Sequence, residues 1–120
     1  MTNDKTVSRS QLATALQVLN EFRKIDPEMP IQVATVFLEV ANNNGAIAMT
    51  DLGERVGIAQ SSVSRNVAAL GKVNRFHQPG HDLLEAKEDP MERRRKLVDL
   101  TMKGKRVVQT IVEVINKSRR

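Results

Sequence analysis

Two glycines four residues apart, Gly53 and Gly57, constrain this chain more than any other feature. They interrupt a run, residues 50–73, whose apolar residues recur at helical spacing on either side: Leu52 and Val56 before, Val63, Val67 and Leu70 after. Two short helices that cross closely need a small residue where they touch, and Gly53 supplies it. The turn between them needs a residue free to take positive φ, which Gly57 provides. Thr50 is read as the cap of the first helix, with Asp51 at the positive end of its dipole. The second runs from about Gln60 to Leu70 or Val73 and closes a small core shared with Leu52, Val56 and Ile58.

The outer face of that second helix carries Gln60, Ser61, Ser62, Ser64, Arg65 and Asn66. Short hydroxyls let a helix lie deep in a DNA major groove, about 12 Å wide, where Gln, Asn and Arg make bidentate contacts to base edges. Downstream the helical period fails. Gln78-Pro79-Gly80 reads as a turn and 83–87 as a short strand; Asp89-Pro90-Met91-Glu92 turns the chain again. Residues 96–100 then alternate polar and apolar, so 83–100 form a hairpin with Arg93, Arg94 and Arg95 near its tip. Charge concentrates in the same region. The net charge is +5, and residues 61–106 hold eleven Lys/Arg against six acids, so the rest of the chain is neutral. A localised basic face is the footprint of a nucleic-acid binder.

Flanking segments complete a mainly α chain with a small β-hairpin. A helix is expected over 8–26, capped by Ser8 or Ser10 and stopped by Asp26-Pro27. A second begins near Pro30, with Ile31, Ala34, Phe37/Leu38 and Ala41 as its apolar stripe; residues 31–36 also satisfy a strand, but length and period favour helix. Asn42-Asn43-Asn44-Gly45 stops it, and 46–49 fits a brief strand. Thr101 caps a last helix over 101–117, with Gly104, Val107/Val108, Ile111/Val112 and Ile115 along one side. At 120 residues this is one domain, 1–120, which need not bury both terminal stripes alone. Leu12, Leu16, Leu19, Val108, Ile111 and Ile115 are therefore the candidate interface of a homodimer.

Several function classes are excluded or poorly served. Without cysteine there is no disulfide, no Cys-ligated zinc and no thiol redox chemistry. No apolar run approaches the roughly 20 residues of a membrane span, and the N-terminus lacks the apolar core of a secretory signal, so a cytoplasmic location is expected. Asn116-Lys117-Ser118 matches a glycosylation acceptor that means nothing without secretion. His77 and His81 have a spacing that ligates metal only on a helix, and Pro79-Gly80 lies between them. A site from Ser61, Ser62 or Ser64 with those histidines and Asp82 lacks a nucleophile elbow, and no glycine-rich phosphate loop exists. The expectation is no metal, no cofactor and no enzyme.

The segment from Thr50 to Arg65 resembles the helix-turn-helix of the MarR family of transcription regulators, and Asp89 to Gly104 resembles that family's wing and following helix. The similarity covers roughly residues 30–106. It implies a winged helix-turn-helix, dimerising through interlocked N- and C-terminal helices, with recognition helices in successive major grooves and wings on the minor groove or backbone. The DNA-contacting set is then Gln60, Ser61, Ser62, Ser64, Arg65 and Asn66 with Arg93, Arg94 and Arg95. The resemblance also implies that Asp89 pairs internally with Arg93 or Arg94. Ala59 stands where the family often has Ser or Thr as cap, leaving Gln60 or Ser61 as substitute, and Asn74 to Asp82 is longer and more polar than the usual link into the wing. Many relatives sense aromatic molecules or oxidants. Absent Cys, Trp and Tyr argue against a small-molecule effector here and favour control by the regulator's own abundance. The expected function is a sequence-specific transcription regulator, of repressor type, on a near-palindromic double-stranded site. The alternative is a DNA-structural or replication/packaging protein using the same fold. A protein-interaction module without DNA binding is disfavoured by the polar helix face and basic hairpin.

Overall fold

The structure, a computed structural model, describes residues 9–117. Helix α1, Arg9–Ile25, ends where the Asp26 side chain accepts from the Glu28 N–H at 2.9 Å and turns the chain. Helix α2, Ile31–Asn42, starts behind Pro30, whose carbonyl accepts from the N–H groups of Val33 and Ala34. The helical reading of 31–36 holds, but the apolar stripe is rotated from the expected one. Val33, Ala34, Val36, Phe37 and Val40 are buried, whereas Ile31 is 70% and Leu38 39% exposed. The β-branched residues, stiff and space-filling, take the inner face at i, i+3, i+7.

Asn43 closes the next turn by donating to the carbonyls of Gly45 and Ala46, with Gly45 at φ 99°. Strand β1, Ile47–Ala48, runs straight into helix α3, Met49–Val56. This corrects the role expected of Thr50: Ala48 occupies the cap position with no side-chain bond, and Thr50 is already helical. Gly57 takes φ 80°, its N–H and that of Ile58 both donating to the Gly53 carbonyl. Helix α4, Gln60–Leu70, follows. Neither Gln60 nor Ser61 caps it; Ala59 holds that position without a side-chain bond, and its carbonyl accepts from the N–H groups of Ser62 and Val63.

Strands β2, Leu84–Asp89, and β3, Glu92–Leu100, form the hairpin, and β1 pairs with the other edge of β3 through Ile47↔Val98 and Ala48↔Leu97. The result is a three-stranded antiparallel sheet in the order β1-β3-β2. Helix α5, Met102–Lys117, begins as expected: the Thr101 hydroxyl accepts from the Gly104 N–H at 3.0 Å and donates to the Asp82 carbonyl at 2.7 Å. A side chain at 104 would collide with the Leu83 carbonyl, so only glycine fits there.

One core joins these elements. Phe37, Leu52, Val63, Leu70, Leu83 and Val98 are fully buried, and Phe22 meets Phe37 edge-to-face at 5.9 Å. Helices α1 and α5 pack against one another and extend the molecule to 54 × 28 × 23 Å. The Cα radius of gyration is 16.2 Å, against about 14 Å for a compact chain of this length. Among the described residues no helix is long and apolar enough to cross a membrane.

Candidate nucleic-acid interface

The close approach of α3 to α4 sets the first half of the site. A Cβ on Gly53 would displace the Gln60 amide and sit 3.0 Å from the Val63 side chain, so glycine lets the two helices meet closely without moving either. Val63, Val67 and Leu70 point inward and fix the rotation of α4. Ser61, Ser64 and Arg65 consequently face solvent. Ser62 is half-buried and accepts from the Arg65 guanidinium at 3.3 Å; Gln60 is exposed but donates to the Thr50 carbonyl at 3.4 Å. Asn66 does not join them. It is half-buried, and its amide donates to the Gln32 side chain of α2 at 2.8 Å, because its position on α4 turns toward α2.

The hairpin supplies the second half. Pairing proceeds regularly to Glu88↔Lys96, then jumps to Asp89↔Glu92, leaving Arg93, Arg94 and Arg95 with no partner on β2. All three are exposed. The expected pairing of Asp89 with Arg93 or Arg94 is not formed. Arg95 takes that place, 3.9 Å from Asp89 and 3.9 Å from Asp51 of α3. The register breaks there, with Asp89 opposite Glu92, and Arg95 is the unpaired residue next to the last regular pair, Glu88↔Lys96. Arg93 and Arg94 have no carboxylate partner among the described residues. Met91 stands at the very tip, 91% exposed, behind a turn in which Asp89 accepts from its N–H.

Between α4 and the sheet lies a groove of about 750 Å³, walled by Gln60, Ser64 and Val67 on one side and Leu84, Arg94 and Lys96 on the other. Lys72, just beyond α4, also lines it. Sequence reasoning missed Lys72 as part of this basic wall, and missed Asp51 as a counter-charge to Arg95. Asp51 was read only as a helix-start residue; its approach to residue 95 depends on β1 joining the sheet.

The histidines stand apart. His77 is exposed at φ 61°, and His81 Nε2 lies 3.5 Å from an Asp26 carboxylate oxygen. Among the described residues no group of three or more His, Asp or Glu side chains could hold a metal ion. Of the residues expected at a dimer interface, Leu12, Leu16, Leu19 and Ile115 are exposed and Val108 is half-buried. Ile111 is 4% exposed and belongs to the chain's own core, so it is not free to meet a partner.

No family model matches the sequence, and no curated protein matches it. Solved structures do. The S. aureus MepR–DNA complex superposes with a TM-score of 0.68 at 16% identity, covering 92% of this chain and 79% of that one. PcaV from Streptomyces coelicolor, in complex with its natural ligand, matches with a TM-score of 0.55 at 25% identity over 99% and 80% of the two chains. MarR matches with a TM-score of 0.58 at 16% identity over 90% and 77%. The fold is the MarR-like winged helix.

Proposed function

We propose that this chain is a transcription regulator that binds double-stranded DNA as a homodimer, with α4 in the major groove and the β2–β3 wing on the minor groove or backbone. The observation that carries the reading is the pairing of two elements across one groove: Ser64 of α4 and Arg94 of the wing line it, Ser61, Arg65 and Arg93 are exposed on the same two elements, and neither Arg93 nor Arg94 has a carboxylate partner among the described residues. Donors on the helix read base edges, while cations on the wing neutralise phosphates. Gln60 and Ser62 border the same surface. Arg95, held between two carboxylates, orients the wing and contributes less to DNA directly. Similar folds described as transcription regulators support a regulatory rather than an enzymatic role.

The dimer reading is supported by Leu12, Leu16 and Leu19, 51%, 61% and 44% exposed along one side of α1, and by Val112 and Ile115 on α5. A two-fold dimer reads a near-palindrome with half-sites about 10 bp apart or slightly more, and occluding a promoter makes it a repressor. The expectation against a small-molecule effector loses its support, because proteins of this fold are described with ligands: PcaV with its natural ligand and NadR with 4-hydroxyphenylacetate. A genome-wide map of bound sites tests the function. Clusters at promoters are the expected result; sites confined to a replication origin or packaging sequence would overturn it.

A further inference from the structure

Residues 71–83, between α4 and β2, form an ordered projection that neither the helix nor the wing explains. The chain leaves α4 at Gly71, runs out, turns at 74–78 and returns along itself, with Val73 bridged to Pro79. Asn74 builds the turn: its carboxamide oxygen accepts from the N–H groups of Phe76 and Gln78, and its own N–H donates to the Gln78 carbonyl. The returning arm then locks onto the end of the helix. The N–H groups of His81, Asp82 and Leu83 donate to the carbonyls of Ala69, Gly71 and Leu70, satisfying the last acceptors that a helix leaves open. A Cβ on Gly80 would collide with the Gly71 carbonyl, so the arms touch backbone to backbone. The projection is thereby tied by backbone hydrogen bonds to the end of α4.

Its outer part is basic: residues 72–78 carry Lys72 and Arg75 and no acid, and Asp82 lies where the returning arm rejoins the helix. Lys72 lines the α4–wing groove together with Arg94, Arg95 and Lys96, so basic side chains of wing and projection share one groove, with Asp82 and Glu85 also in its lining. The Arg75 guanidinium lies 4.4 Å over the ring of Phe76, itself 64% exposed. Neither Lys72 nor Arg75 has a carboxylate partner among the described residues. An arginine stacked on an aromatic face keeps its N–H edge free and pre-oriented for a phosphate. Lys72 sets the start of the projection in the α4–wing groove, next to the helix that the proposed function lays on DNA.

We propose that this projection is a third DNA-contacting element, in which Lys72 and Arg75 bind phosphates flanking the bases read by α4, with Phe76 holding Arg75 in place. The proposal rests on the reading of α4 as a recognition helix. The test is a titration of wild-type protein and variants on a mixed-sequence duplex of about 30 bp, three helical turns, at several salt concentrations. Lys72→Ala and Arg75→Ala are each expected to lower the slope of log affinity against log salt by about 0.9, so that a fourfold rise in salt costs about 3.5-fold less affinity than in the wild type. The double variant should lower the slope by about 1.8, and Arg75→Lys should keep the wild-type slope. If the wild type binds the duplex and the double variant keeps its slope, the projection is not a DNA contact, and its exposed Phe76 belongs to a protein partner instead. If the wild type does not bind the duplex at low salt, the recognition-helix reading fails and this proposal falls with it.

Discussion

The helix-turn-helix and the paired terminal helices solve the same problem to different degrees. Around α3 and α4 the central apolar side chains are completely covered: Leu52, Val63 and Leu70 have no exposed surface, and Met49, Val56 and Ile58 pack against them half-buried. Along α1 the larger leucines remain half in water, Leu16 at 61%, although the helix is longer than either of those two. The first region finishes its core with residues of its own chain. The second anchors itself through Phe22 and Ile111 and leaves its remaining apolar surface outside. The contrast teaches where independence ends: the helix-turn-helix completes its core within the chain, while the terminal helices leave apolar surface that the proposed dimer would cover.

That contrast breaks first if Leu52→Ala is tolerated. Removing a fully buried leucine is expected to cost about 2–5 kcal/mol of folding stability, read by denaturant unfolding. Leu16→Ser tests the other side of the comparison. Folding of the single chain should barely change, while the proposed dimer loses about 1.5–3 kcal/mol for each leucine it would have buried, seen as a shift to monomer in sedimentation at micromolar concentration. A dimer of unchanged strength would move the interface elsewhere.

Within the DNA-facing unit the same logic separates helix from wing. Arg65→Ala should cost about 1–3 kcal/mol on the preferred site and relax discrimination against random DNA. Arg94→Ala should instead weaken both DNAs by similar factors and lower the salt slope by about 0.9. Equal loss on both DNAs for Arg65→Ala removes α4 from base reading. The smallest effect belongs to Asn66→Ala, expected to cost about 0.5–1.5 kcal/mol of stability through its bond to Gln32 and to leave site preference unchanged, by unfolding and competition binding.

Local signals carried most of the fold into view. Gly53 and Gly57 announce a close crossing and a left-handed turn, Thr101 announces a cap, and the alternation of 96–100 announces a strand, because each depends on neighbours within a few residues. What stayed hidden depends on distant partners. Ala48 needs no capping side chain since β1, tied to β3 some fifty residues on, delivers the backbone into α3 already extended. Asn66 looked free because its partner is 34 residues away. Arg95, rather than its neighbours, meets Asp89 because the surplus residues of β3 displace the tip by a count that alternation alone does not reveal. The candidate site was therefore legible in its location and charge, and illegible in which side chains are already spoken for.

The pairing of β3 has a consequence for how such a surface changes over generations. Leu97 and Val98 are clamped from both edges, by Ala48 and Ile47 on one side and by Lys87 and Ala86 on the other. The strand cannot slip without turning Val98 out of the core. Outside that clamp the three arginines belong to no ladder. Arg93 and Arg94 can be exchanged there without touching the core, whereas Arg95 also sets the wing against α3 through Asp51. If the wing meets DNA as proposed, its reach at Arg93 and Arg94 is set apart from the packing that holds the fold.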